Sequence, residues 1–423
     1  MIINKTDYNV AAIILAGGQG TRLFPLTQFR SKPDVSFGGR YRLINIPISN
    51  SINSKVDEIF IISQYFASQL NEHIQQTFLS QPISLQHFHL LHPEETKEGQ
   101  IWYEGTADAI RKNLNLFEKH PADYFIILSG DQLYSMDLLK MVAFTIETQS
   151  EMTVASIKVT KKEAKRMGLL KINPEKTIVD FFEKPTNETV LSKFAMSAGK
   201  ANEDVYLGSM GIYVFERKCL LKLLNSHPGL DFGKDIIPYQ IKNGKKSSSY
   251  FFEGYWEDIG TIESFYKANL ALTQGSSGLN LYDDHWPIYS QINYFPYSRV
   301  ETGKLNNTII CEGCIIDALS ISHTMIGQRT WIGKEAVIED SIIMGNPPDE
   351  AQHNWTFQTK TIGDYSVIKG AIIDEYAQVG HNVRLVNDEN LERYDGDGIF
   401  IRDGVIVVAS GKKIPDGYHF KPF

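Results

Sequence analysis

The sequence predicts an α/β domain with a mostly parallel sheet, followed by a domain built as a parallel β-helix. In residues 10–272, apolar strand candidates alternate with helical stretches, which is typical of a parallel sheet covered by helices. After residues 275–278, aliphatic side chains recur every six positions instead, and that period is typical of stacked coils. Because a chain of 423 residues is longer than one that usually forms a single hydrophobic core, we expect two domains, residues 1–278 and 279–423.

The first domain contains short apolar strands separated by helices. Strand candidates are residues 11–15, 58–63, 124–128, 153–158 and 210–215, and helix candidates are residues 49–52, 67–76, 107–117 and 262–272. Ligands of such sheets bind beyond the carboxyl ends of the strands. A glycine-rich turn and Asp131 each follow one of these strands, so we expect both at that edge.

The second domain carries the six-residue aliphatic repeat. Its members include Ile310, Ile316, Ile326, Ile332, Ile338, Ile362, Ile368, Ile373, Val379 and Leu385. Glycine often follows, as in Ile326-Gly327 and Val379-Gly380. Antiparallel strands are the alternative, but they would alternate with a period of two. Residues 346–360 are polar, contain proline and interrupt the repeat, so we expect a loop there.

The glycine-rich turn after the first strand is suited to phosphate. Gly17, Gly18 and Gly20 have no Cβ atom, so their backbone N–H groups can surround an anion. Arg22 offers a planar fork of donors to phosphate oxygens. Neither the Lys-containing P-loop nor the dinucleotide-binding spacing is present. The turn predicts a nucleotide site, with an ordinary glycine-rich loop as the alternative.

Two aspartates are candidate metal ligands. Asp131 ends an apolar strand, and Asp258 stands just before helix candidate 262–272. A hard cation that bridges phosphates needs oxygen ligands and usually takes one or two of them from the protein. We therefore expect both carboxylates to hold a phosphate-bound Mg²⁺. Taken alone, Asp131 fits a turn or cap residue equally well.

Two further clusters suit a sugar phosphate and a nucleotide. Glu183 and Lys184 end an aromatic strand, where the first can accept hydrogen bonds from hydroxyls and the second is a point charge for phosphate. An exposed ion pair would look the same in isolation. Residues 102–109 place helix-start N–H groups beside Tyr103, whose ring can pack on a base or ribose.

Composition excludes some classes of protein. A formal net charge of −8 argues against general nucleic-acid binding, which requires a basic field. We expect no membrane span, because apolar runs stay below the roughly 18 residues needed. Three cysteines and no secretory leader predict a cytoplasmic protein. Cys311 and Cys314 form a Cys-x-x-Cys pair, but a second pair and a histidine cluster are missing from the sequence, which disfavours a metal site.

Short motifs along nearly the whole chain carry a resemblance to one family. They are Gly-Gly-x-Gly-Thr-Arg-Leu, Lys-Pro, Tyr-Arg-Leu-Ile, Gly-Thr-Ala-Asp-Ala, Ser-Gly-Asp, Phe-Glu-Lys-Pro, Ser-Met-Gly-Ile-Tyr, Asp-Phe-Gly-Lys-Asp and Tyr-Trp-x-Asp-Ile-Gly-Thr. In this order they resemble the glucose-1-phosphate adenylyltransferase family. The resemblance implies a Rossmann-like nucleotidyltransferase domain and a left-handed β-helix. It also implies an Mg²⁺-dependent, allosteric homotetramer that makes ADP-glucose from ATP and glucose 1-phosphate for glycogen or starch.

The same resemblance implies a role for each site residue. Arg22, Lys32 and Asp131 would be catalytic, and Asp131 and Asp258 would hold Mg²⁺. The residues implied for ATP are Gly17, Gly18, Gly20, Thr21, Arg22, Lys32, Gln64, Tyr103, Gly105, Thr106 and Asp108. Those implied for glucose 1-phosphate are Gly168, Glu183, Lys184, Ser209, Tyr213, Asp231, Phe232, Trp256 and Asp258. A regulatory set of Arg30, Arg42 and Arg384 would bind an anionic effector at the domain junction.

Three positions depart from the family pattern. Asn45 stands in place of an aspartate and Asp34 in place of an alanine. Either these changes alter a local polar network, or the negative charge gained at Asp34 compensates for the one lost at Asn45. Phe29 stands where bacterial members often carry a lysine for a sugar-bisphosphate activator. We therefore expect weak activation by fructose 1,6-bisphosphate.

Two alternative functions share this fold. One is a nucleotidyltransferase that uses dTTP or UTP. The other is a catalytically silent regulatory subunit. Such subunits commonly lack the cationic residues that bind phosphate or the aspartates that bind the metal ion. The residues whose loss would indicate a silent subunit are all present, namely Arg22, Lys32, Asp131, Lys184 and Asp258.

Overall fold

Strands and helices alternate along the first domain. The computed structural model describes residues 8–80, 87–93, 95–96, 99–100, 102–196, 205–275, 278–301, 303–347 and 359–421. The strands of this domain are β1 (Val10–Leu15), β2 (Ser36–Phe37), β3 (Tyr41–Arg42), β4 (Glu58–Ile62), β5 (His87–Leu91), β6 (Glu95–Thr96), β7 (Gly99–Gln100), β8 (Tyr124–Ser129), β9 (Gln132–Tyr134), β10 (Met152–Val159), β11 (Gly168–Ile172), β12 (Ile178–Glu183), β13 (Tyr206–Glu216), β14 (Ser247–Phe251) and β15 (Trp256–Asp258). The helices are α1 (Asn45–Asn53), α2 (Ala67–Ile74), α3 (Thr106–Arg111), α4 (Leu114–Lys119), α5 (Leu138–Glu147), α6 (Lys161–Ala164), α7 (Glu188–Phe194), α8 (Arg217–Ser226), α9 (Ile237–Lys242) and α10 (Ile262–Leu272).

The central sheet is mixed, and its parallel part carries the glycine-rich turn. The strands pair in the order β12-β11-β13-β8-β1-β4-β5, with β10 beside β13 and β14 beside β10. Strands β8, β1, β4 and β5 are mutually parallel, whereas β13 is antiparallel to β8. Leu15 of β1 pairs with Ser129 of β8. The turn after β1 and Asp131 after β8 therefore lie at the same edge, and the predicted α/β class is confirmed.

The predicted elements are found with shifted ends, and one predicted helix is divided. Predicted helix 107–117 forms α3 and α4, because the Asn113 amide donates to the Ala109 carbonyl and competes with the helical hydrogen bonds. Predicted helix 67–76 is α2, which continues as a π-helical turn, Gln75–Leu79. Predicted strand 58–63 is β4, which ends one residue earlier, and predicted helix 262–272 has the bounds of α10. The other predicted segments lie within longer strands or helices.

Both faces of the sheet are covered by apolar cores. Alternate residues of a strand point to opposite faces, so Ile13 packs with α3, α4 and α8, whereas Ile14 packs with α1, α2, α5 and α10. None of the described helices is long and apolar enough to cross a membrane.

The second domain consists of stacked coils of mostly parallel strands. Its strands are β16 (Arg299–Val300), β17 (Lys304–Ile310), β18 (Ile315–Ile316), β19 (Ser320–Ile326), β20 (Trp331–Ile332), β21 (Val337–Ile343), β22 (Val367–Lys369), β23 (Ala371–Ile373), β24 (Gln378–Val379), β25 (Arg384–Leu385), β26 (Arg393–Asp395), β27 (Ile399–Arg402), β28 (Val405–Val408) and β29 (Lys413–Ile414). Ile326 pairs with Ile343, and Ile338, Ile368 and Leu385 form a column. The aliphatic repeat therefore lines the interior of the coils. Of the predicted loop, residues 348–358 lie outside the described residues.

The two domains share an apolar core. Met325, Ile342 and Met344 of the β-helix belong to the same buried cluster as Phe265 of α10. Strands β26, β27 and β28 form an antiparallel meander that also contacts the first domain. Because the contact is apolar and continuous, each domain supports the position of the other.

Candidate active site

A cavity of about 540 Å³ lies beyond the carboxyl ends of β1, β4 and β8. Its walls come from distant parts of the chain, because parallel strands end at the same edge of a sheet. The predicted site residues that line it are Gly17, Gly18, Lys32, Gln64, Tyr103, Gly105, Thr106, Asp131, Glu183, Lys184, Tyr213, Asp231 and Phe232. The structure therefore brings members of both predicted substrate sets to one cavity.

The glycine-rich turn forms one edge of the cavity and packs against Lys32. Gly20 has a left-handed backbone with a φ of 67°, which L side chains avoid. A Cβ atom at Gly20 would also lie 2.8 Å from the Lys32 Cβ. The Thr27 hydroxyl donates to the Gly20 carbonyl over 3.0 Å. Gly18 has open space around its Cα, so its backbone is accessible to a ligand.

Lys32 lies between the two predicted metal ligands. Its Nζ atom is 2.5 Å from Asp131 Oδ2 and 3.9 Å from Asp258 Oδ1. Burial alone would raise the pKa of Asp131, but Lys32 and the Ser129 hydroxyl outweigh burial and hold that pKa below its usual value. Burial raises the pKa of Asp258 against the opposing charge of Lys32, and the charge on Asp131 raises it further.

The two aspartates fit a divalent cation. Both supply the oxygen donors that Mg²⁺ prefers, and both already face one positive charge, the Lys32 ammonium group. Among the described residues, no group of three or more His, Cys, Asp or Glu side chains is placed to hold a metal by itself. A cation at this pair would therefore need further ligands from a substrate.

Thr21 and Arg22 lie in an adjoining cleft of about 810 Å³. They belong to a short 3-10 turn, Thr21–Leu23. A Cβ atom at Gly260 would lie 3.6 Å from Arg22 Nη1 and 3.5 Å from Asp258 Oδ2. Arg22 therefore lies beside one of the two predicted metal ligands, although it does not line the main cavity.

Backbone atoms fix Gln64 at the edge of the cavity. Gln64 Oε1 accepts from the Tyr103 N–H over 2.9 Å, and Gln64 Nε2 donates to the Gly17 carbonyl over 3.3 Å. Tyr103 lines the cavity but is only 8 % exposed and also belongs to the core, so its stacking role stays a prediction. Tyr65 also lines the cavity and stacks on the exposed Trp102, with ring centroids 5.4 Å apart. Sequence reasoning missed this pair.

The chain itself occupies the N–H groups at the start of α3. Those of Ala107 and Asp108 donate to the Leu230 carbonyl over 2.8 and 3.1 Å. A Cβ atom at Gly105 would lie 2.3 Å from that carbonyl oxygen, so glycine allows this close approach. The predicted nucleotide contact of Asp108 is corrected, because its carboxylate pairs with Lys112 at 2.7 Å and lies outside the cavity wall.

Glu183 and Lys184 form another wall of the cavity at the end of β12. Lys184 Nζ lies 3.3 Å from Glu183 Oε1, and the lysine side chain is 57 % exposed. Burial raises the pKa of Glu183 against the nearby charge of Lys184. A Cβ atom at Gly168 or Gly233 would lie 2.7 Å from Glu183 Oε2. Gly168 therefore makes room for the carboxylate, as does Gly233, a lining residue that sequence reasoning missed.

Asp231 joins two parts of the wall. Its Oδ2 accepts from the Thr106 hydroxyl over 3.0 Å, and its Oδ1 caps the following turn. The next residue, Phe232, packs against Tyr213 with ring centroids 5.7 Å apart. Burial raises the pKa of the Tyr213 hydroxyl, which therefore stays protonated.

Gln132 is a lining residue that sequence reasoning missed, although it directly follows Asp131. Trp256 Nε1 donates to Gln132 Oε1 over 3.3 Å. Ser209 Oγ accepts from the Gly211 N–H over 3.2 Å, and Gly211 lines the cavity beside Gln132. Trp256 and Ser209 therefore support the wall and do not line it.

The predicted regulatory arginines do not form one set. Arg30 lies 3.0 Å from Asp374 and 2.9 Å from Glu375, and Arg42 lies 3.0 Å from Glu375. These two arginines line an interdomain cavity of about 230 Å³. Arg384 is not part of that lining and pairs with a carboxylate of its own segment over 2.8 Å. The structure therefore corrects the three-arginine set to a pair.

Asp34 completes the interdomain ion cluster, which consists of Arg30, Arg42, Asp34, Asp374 and Glu375. Arg42 Nη1 donates to the Asp34 carbonyl over 2.8 Å, and Arg42 Nε lies 3.6 Å from Asp34 Oδ1. Burial raises the pKa of Asp374 to about 6 against the opposing charge of Arg30. The departure at Asp34 therefore adds a carboxylate to the cluster that joins the domains.

The departure at Asn45 belongs to a polar network with His73, which lines the same interdomain cavity as Arg42 and Asp34. Asn45 Nδ2 donates to the Tyr289 carbonyl over 2.8 Å, and Asn45 Oδ1 accepts from His73 Nε2 over 2.6 Å. Burial lowers the pKa of His73 to about 3, so its ring is neutral. A carboxylate could not donate to the Tyr289 carbonyl, and the amide therefore alters this network.

The Cys-x-x-Cys pair lies buried in the second domain as free thiols. Cys314 Sγ donates to the Gly327 carbonyl over 3.3 Å. Burial raises the pKa of Cys314 to about 11 and also raises that of Cys311. Protonated thiols are poor metal ligands, so the pair packs as part of the coils.

Two families match the sequence. Residues 11–275 match the nucleotidyl transferase family, and residues 293–418 match the GLGC left-handed parallel β-helix domain. The predicted boundary between residues 278 and 279 falls between the two matched ranges and stays a prediction. The chain belongs to the nucleotidyl transferase family, and its two domains together are the signature of the glucose-1-phosphate adenylyltransferase family.

Proposed function

We propose that the protein transfers the adenylyl group of ATP to α-D-glucose 1-phosphate, which forms ADP-glucose and pyrophosphate. The observation that carries this proposal is the position of Lys32 between Asp131 and Asp258. Lys32 and Asp131 line the same cavity as the glycine-rich turn and the Glu183–Lys184 pair. The site therefore combines backbone N–H groups for phosphate, carboxylates for a metal ion and the Glu183–Lys184 pair for a sugar phosphate. This combination suits nucleotidyl transfer to a sugar phosphate.

The walls of the cavity suggest where each substrate binds. The N–H groups of Gly17 and Gly18 would surround the phosphates of ATP, with Lys32 and Arg22 as counter-charges. Lys184 would hold the phosphate of glucose 1-phosphate. The carboxylates of Glu183 and Asp231 would accept hydrogen bonds from the sugar hydroxyls.

Asp131 and Asp258 would hold Mg²⁺. When bound, the ion would polarise phosphoryl oxygens and offset their negative charge. Lys32 lies 2.5 Å from Asp131, so its ammonium group would contribute further positive charge at the same place. The strong interaction of Asp131 with Lys32 keeps this carboxylate ionised, which is the form that binds a cation.

The reaction requires no general base from the chain. An oxygen of glucose 1-phosphate is ionised at neutral pH and attacks the α-phosphorus of ATP in line. The bond to the bridging oxygen breaks, and pyrophosphate leaves with the electron pair. Lys184 positions the attacking group, while Lys32 and Arg22 offset charge on the triphosphate, so the protein supplies positioning and electrostatic stabilisation.

Pyrophosphate release from glucose 1-phosphate tests the proposal, with ATP, UTP, dTTP, CTP and GTP assayed in parallel. We expect the highest kcat/KM with ATP and ADP-glucose as the product. Faster turnover with UTP or dTTP would assign the protein to another sugar nucleotide. Folded protein that releases no pyrophosphate with any nucleotide would be a silent regulatory subunit.

We further propose that the protein is a homotetramer assembled through the β-helix domain, with a role in glycogen or starch synthesis. The stacked coils form a rigid platform on which another subunit can pack. Sedimentation of the full-length protein should show a four-chain oligomer. A fully active monomer would contradict this part of the proposal.

A further inference from the structure

One segment of the β-helix domain contacts both loops that present the proposed catalytic charges. Strands β27 and β28 pair through a tight turn at Asp403 and Gly404. Both residues have left-handed backbones, with φ values of 52° and 79°, and Asp-Gly is the sequence favoured in such two-residue turns. The turn therefore holds Arg402 and Asp403 in fixed directions.

Arg402 packs on the residue that follows the Arg22 turn. Its guanidinium carbon lies 5.6 Å from the centroid of the Phe24 ring. The guanidinium group is fixed by Asp395 and donates to the carbonyls of Tyr394 in β26 and Ile401 in β27 over 2.9 and 2.8 Å. Phe400 adds an edge-on contact with Phe24, with ring centroids 5.1 Å apart. Because Phe24 directly follows the Thr21–Leu23 turn, this packing restrains Arg22.

Asp403 contacts the second loop. Its Oδ2 atom accepts from the Glu263 N–H over 3.2 Å, in the first turn of α10, where a carboxylate is favourable. Thr261 caps this helix and is separated from Asp258 by two residues. The hydrogen bond therefore restrains the helix start that follows the metal aspartate.

The two restrained loops meet at the active site. Arg22 lies beside Asp258, as the space around Gly260 shows. Arg402 and Asp403 line the adjoining cleft together with Arg22. Gln19 and Tyr65 line both this cleft and the main cavity, so the β-helix domain forms part of the approach to the nucleotide site.

We propose that Arg402 and Asp403 are positioning residues for nucleotidyl transfer. Arg402 holds Phe24 and thereby orients Arg22, and Asp403 holds the start of α10 behind Asp258. Since the Arg402 guanidinium is already bound by Asp395 and by backbone carbonyls, it acts through Phe24 and not through a substrate phosphate. The inference rests on the proposed function.

Steady-state kinetics of Arg402→Ala test this role. We expect kcat/KM for ATP to fall about ten- to a hundredfold, the loss typical of a misplaced catalytic group, while KM for glucose 1-phosphate changes little. Arg402→Lys keeps the charge but loses the planar face, so its loss should be intermediate. Arg299→Ala is the control, because Arg299 is an arginine of the same domain that is 56 % exposed and lines neither the cleft nor the main cavity. Its activity should match that of the unmodified protein.

A double-mutant cycle with Phe24→Leu separates positioning from direct binding. If Arg402 acts through Phe24, the combined loss should stay well below the product of the two single losses. Independent, multiplicative losses would overturn the proposal, as would an equal loss in Arg299→Ala. If Arg402→Ala does not fold, Arg402→Lys takes its place in the cycle.

The assay also separates this inference from the proposed function. If the unmodified protein prefers another nucleotide, the cycle is measured with that nucleotide. If the unmodified protein is inactive, the proposed function fails, and binding of ATP with Mg²⁺ is measured by calorimetry instead. Arg402→Ala should then weaken that binding about tenfold or more, and unchanged binding would refute the positioning role.

Discussion

Arg30 and Lys32 lie on one short segment, and each of them faces two carboxylates from elsewhere in the chain. The two groups of charges differ in how accessible they are to a ligand. Lys32 faces Asp131 and Asp258 at the edge of the catalytic cavity, where the Asp258 side chain is 45 % exposed. Arg30 faces Asp374 and Glu375 of the β-helix, whose side chains are 1 % and 5 % exposed. The first group is open to a substrate, whereas the charges of the second are buried against each other at the contact between the domains.

The comparison shows that a cation in a motif is not evidence of a ligand site by itself. Arg30 and Lys32 are two residues apart, and both are cationic residues. The carboxylates that oppose Arg30 come from the second domain, so its charge stabilises the contact between domains. Removing a charge from the group around Lys32 should therefore abolish nucleotidyl transfer. Removing one from the group around Arg30 should destabilise the fold.

The largest effect is expected for Asp131→Asn. Losing a metal carboxylate should raise the barrier by several kcal/mol, which lowers turnover by about a thousandfold or more, while the protein stays folded. Pyrophosphate release and circular dichroism measure the two properties. Asp388→Asn, at an exposed pair with Arg384, is the control and should retain turnover. Near-normal Mg²⁺-dependent turnover in folded Asp131→Asn would refute the metal assignment.

Arg30→Ala should show the opposite pattern, with a large loss of stability. It leaves Asp374 and Glu375 buried with less compensating charge, and breaking such a pair costs about 3–5 kcal/mol. Denaturant unfolding at pH 7 measures the free energy of unfolding. Arg384→Ala, which removes an exposed pair, should cost about 1 kcal/mol or less. Equal losses in the two variants would show that the interdomain ion cluster does not stabilise the fold.

Lys184→Ala should have a smaller effect confined to one substrate. The side chain is exposed at the cavity wall, so its removal should raise the KM for glucose 1-phosphate about ten- to a hundredfold, the range expected for one lost charged contact. The KM for ATP should change far less. Lys165→Ala, at a surface pair with Glu188, serves as the control. Equal weakening of both substrates would contradict separate binding walls.

The smallest effect is expected for Phe29→Lys. Phe29 is 53 % exposed at the interdomain cavity, and the neighbouring arginines already have carboxylate partners. Fructose 1,6-bisphosphate should therefore activate the unmodified protein weakly, and the added lysine should strengthen activation. Titration of both proteins with the effector measures this difference. Strong activation of the unmodified protein would show that Phe29 does not limit binding.

The sequence predicted the fold because each domain has its own hydrophobic period. The six-residue repeat corresponds to the observed columns, as for Ile338, Ile368 and Leu385. Motifs also identified residues that follow parallel strands, such as Asp131, since strand direction alone brings those ends together. Local patterns therefore sufficed for the fold and for much of the cavity.

Sequence reasoning failed where the function of a residue depends on a partner from elsewhere in the chain. The helix-start N–H groups of α3 donate to the Leu230 carbonyl. The role of Gly233 follows from its close approach to Glu183. Such contacts between distant residues produce no periodic pattern or fixed spacing that could be recognised in a single sequence.

Incorporation of labelled pyrophosphate into ATP is the most direct test of adenylyl transfer from ATP to a sugar phosphate. In the reverse direction, pyrophosphate attacks ADP-glucose, so label should enter ATP when ADP-glucose and Mg²⁺ are both present. Omitting ADP-glucose should abolish the exchange, because the proposed reaction passes directly from one substrate to the other. Two results would contradict the proposed reaction: label that enters ATP without ADP-glucose, or ATP that stays unlabelled when ADP-glucose is present.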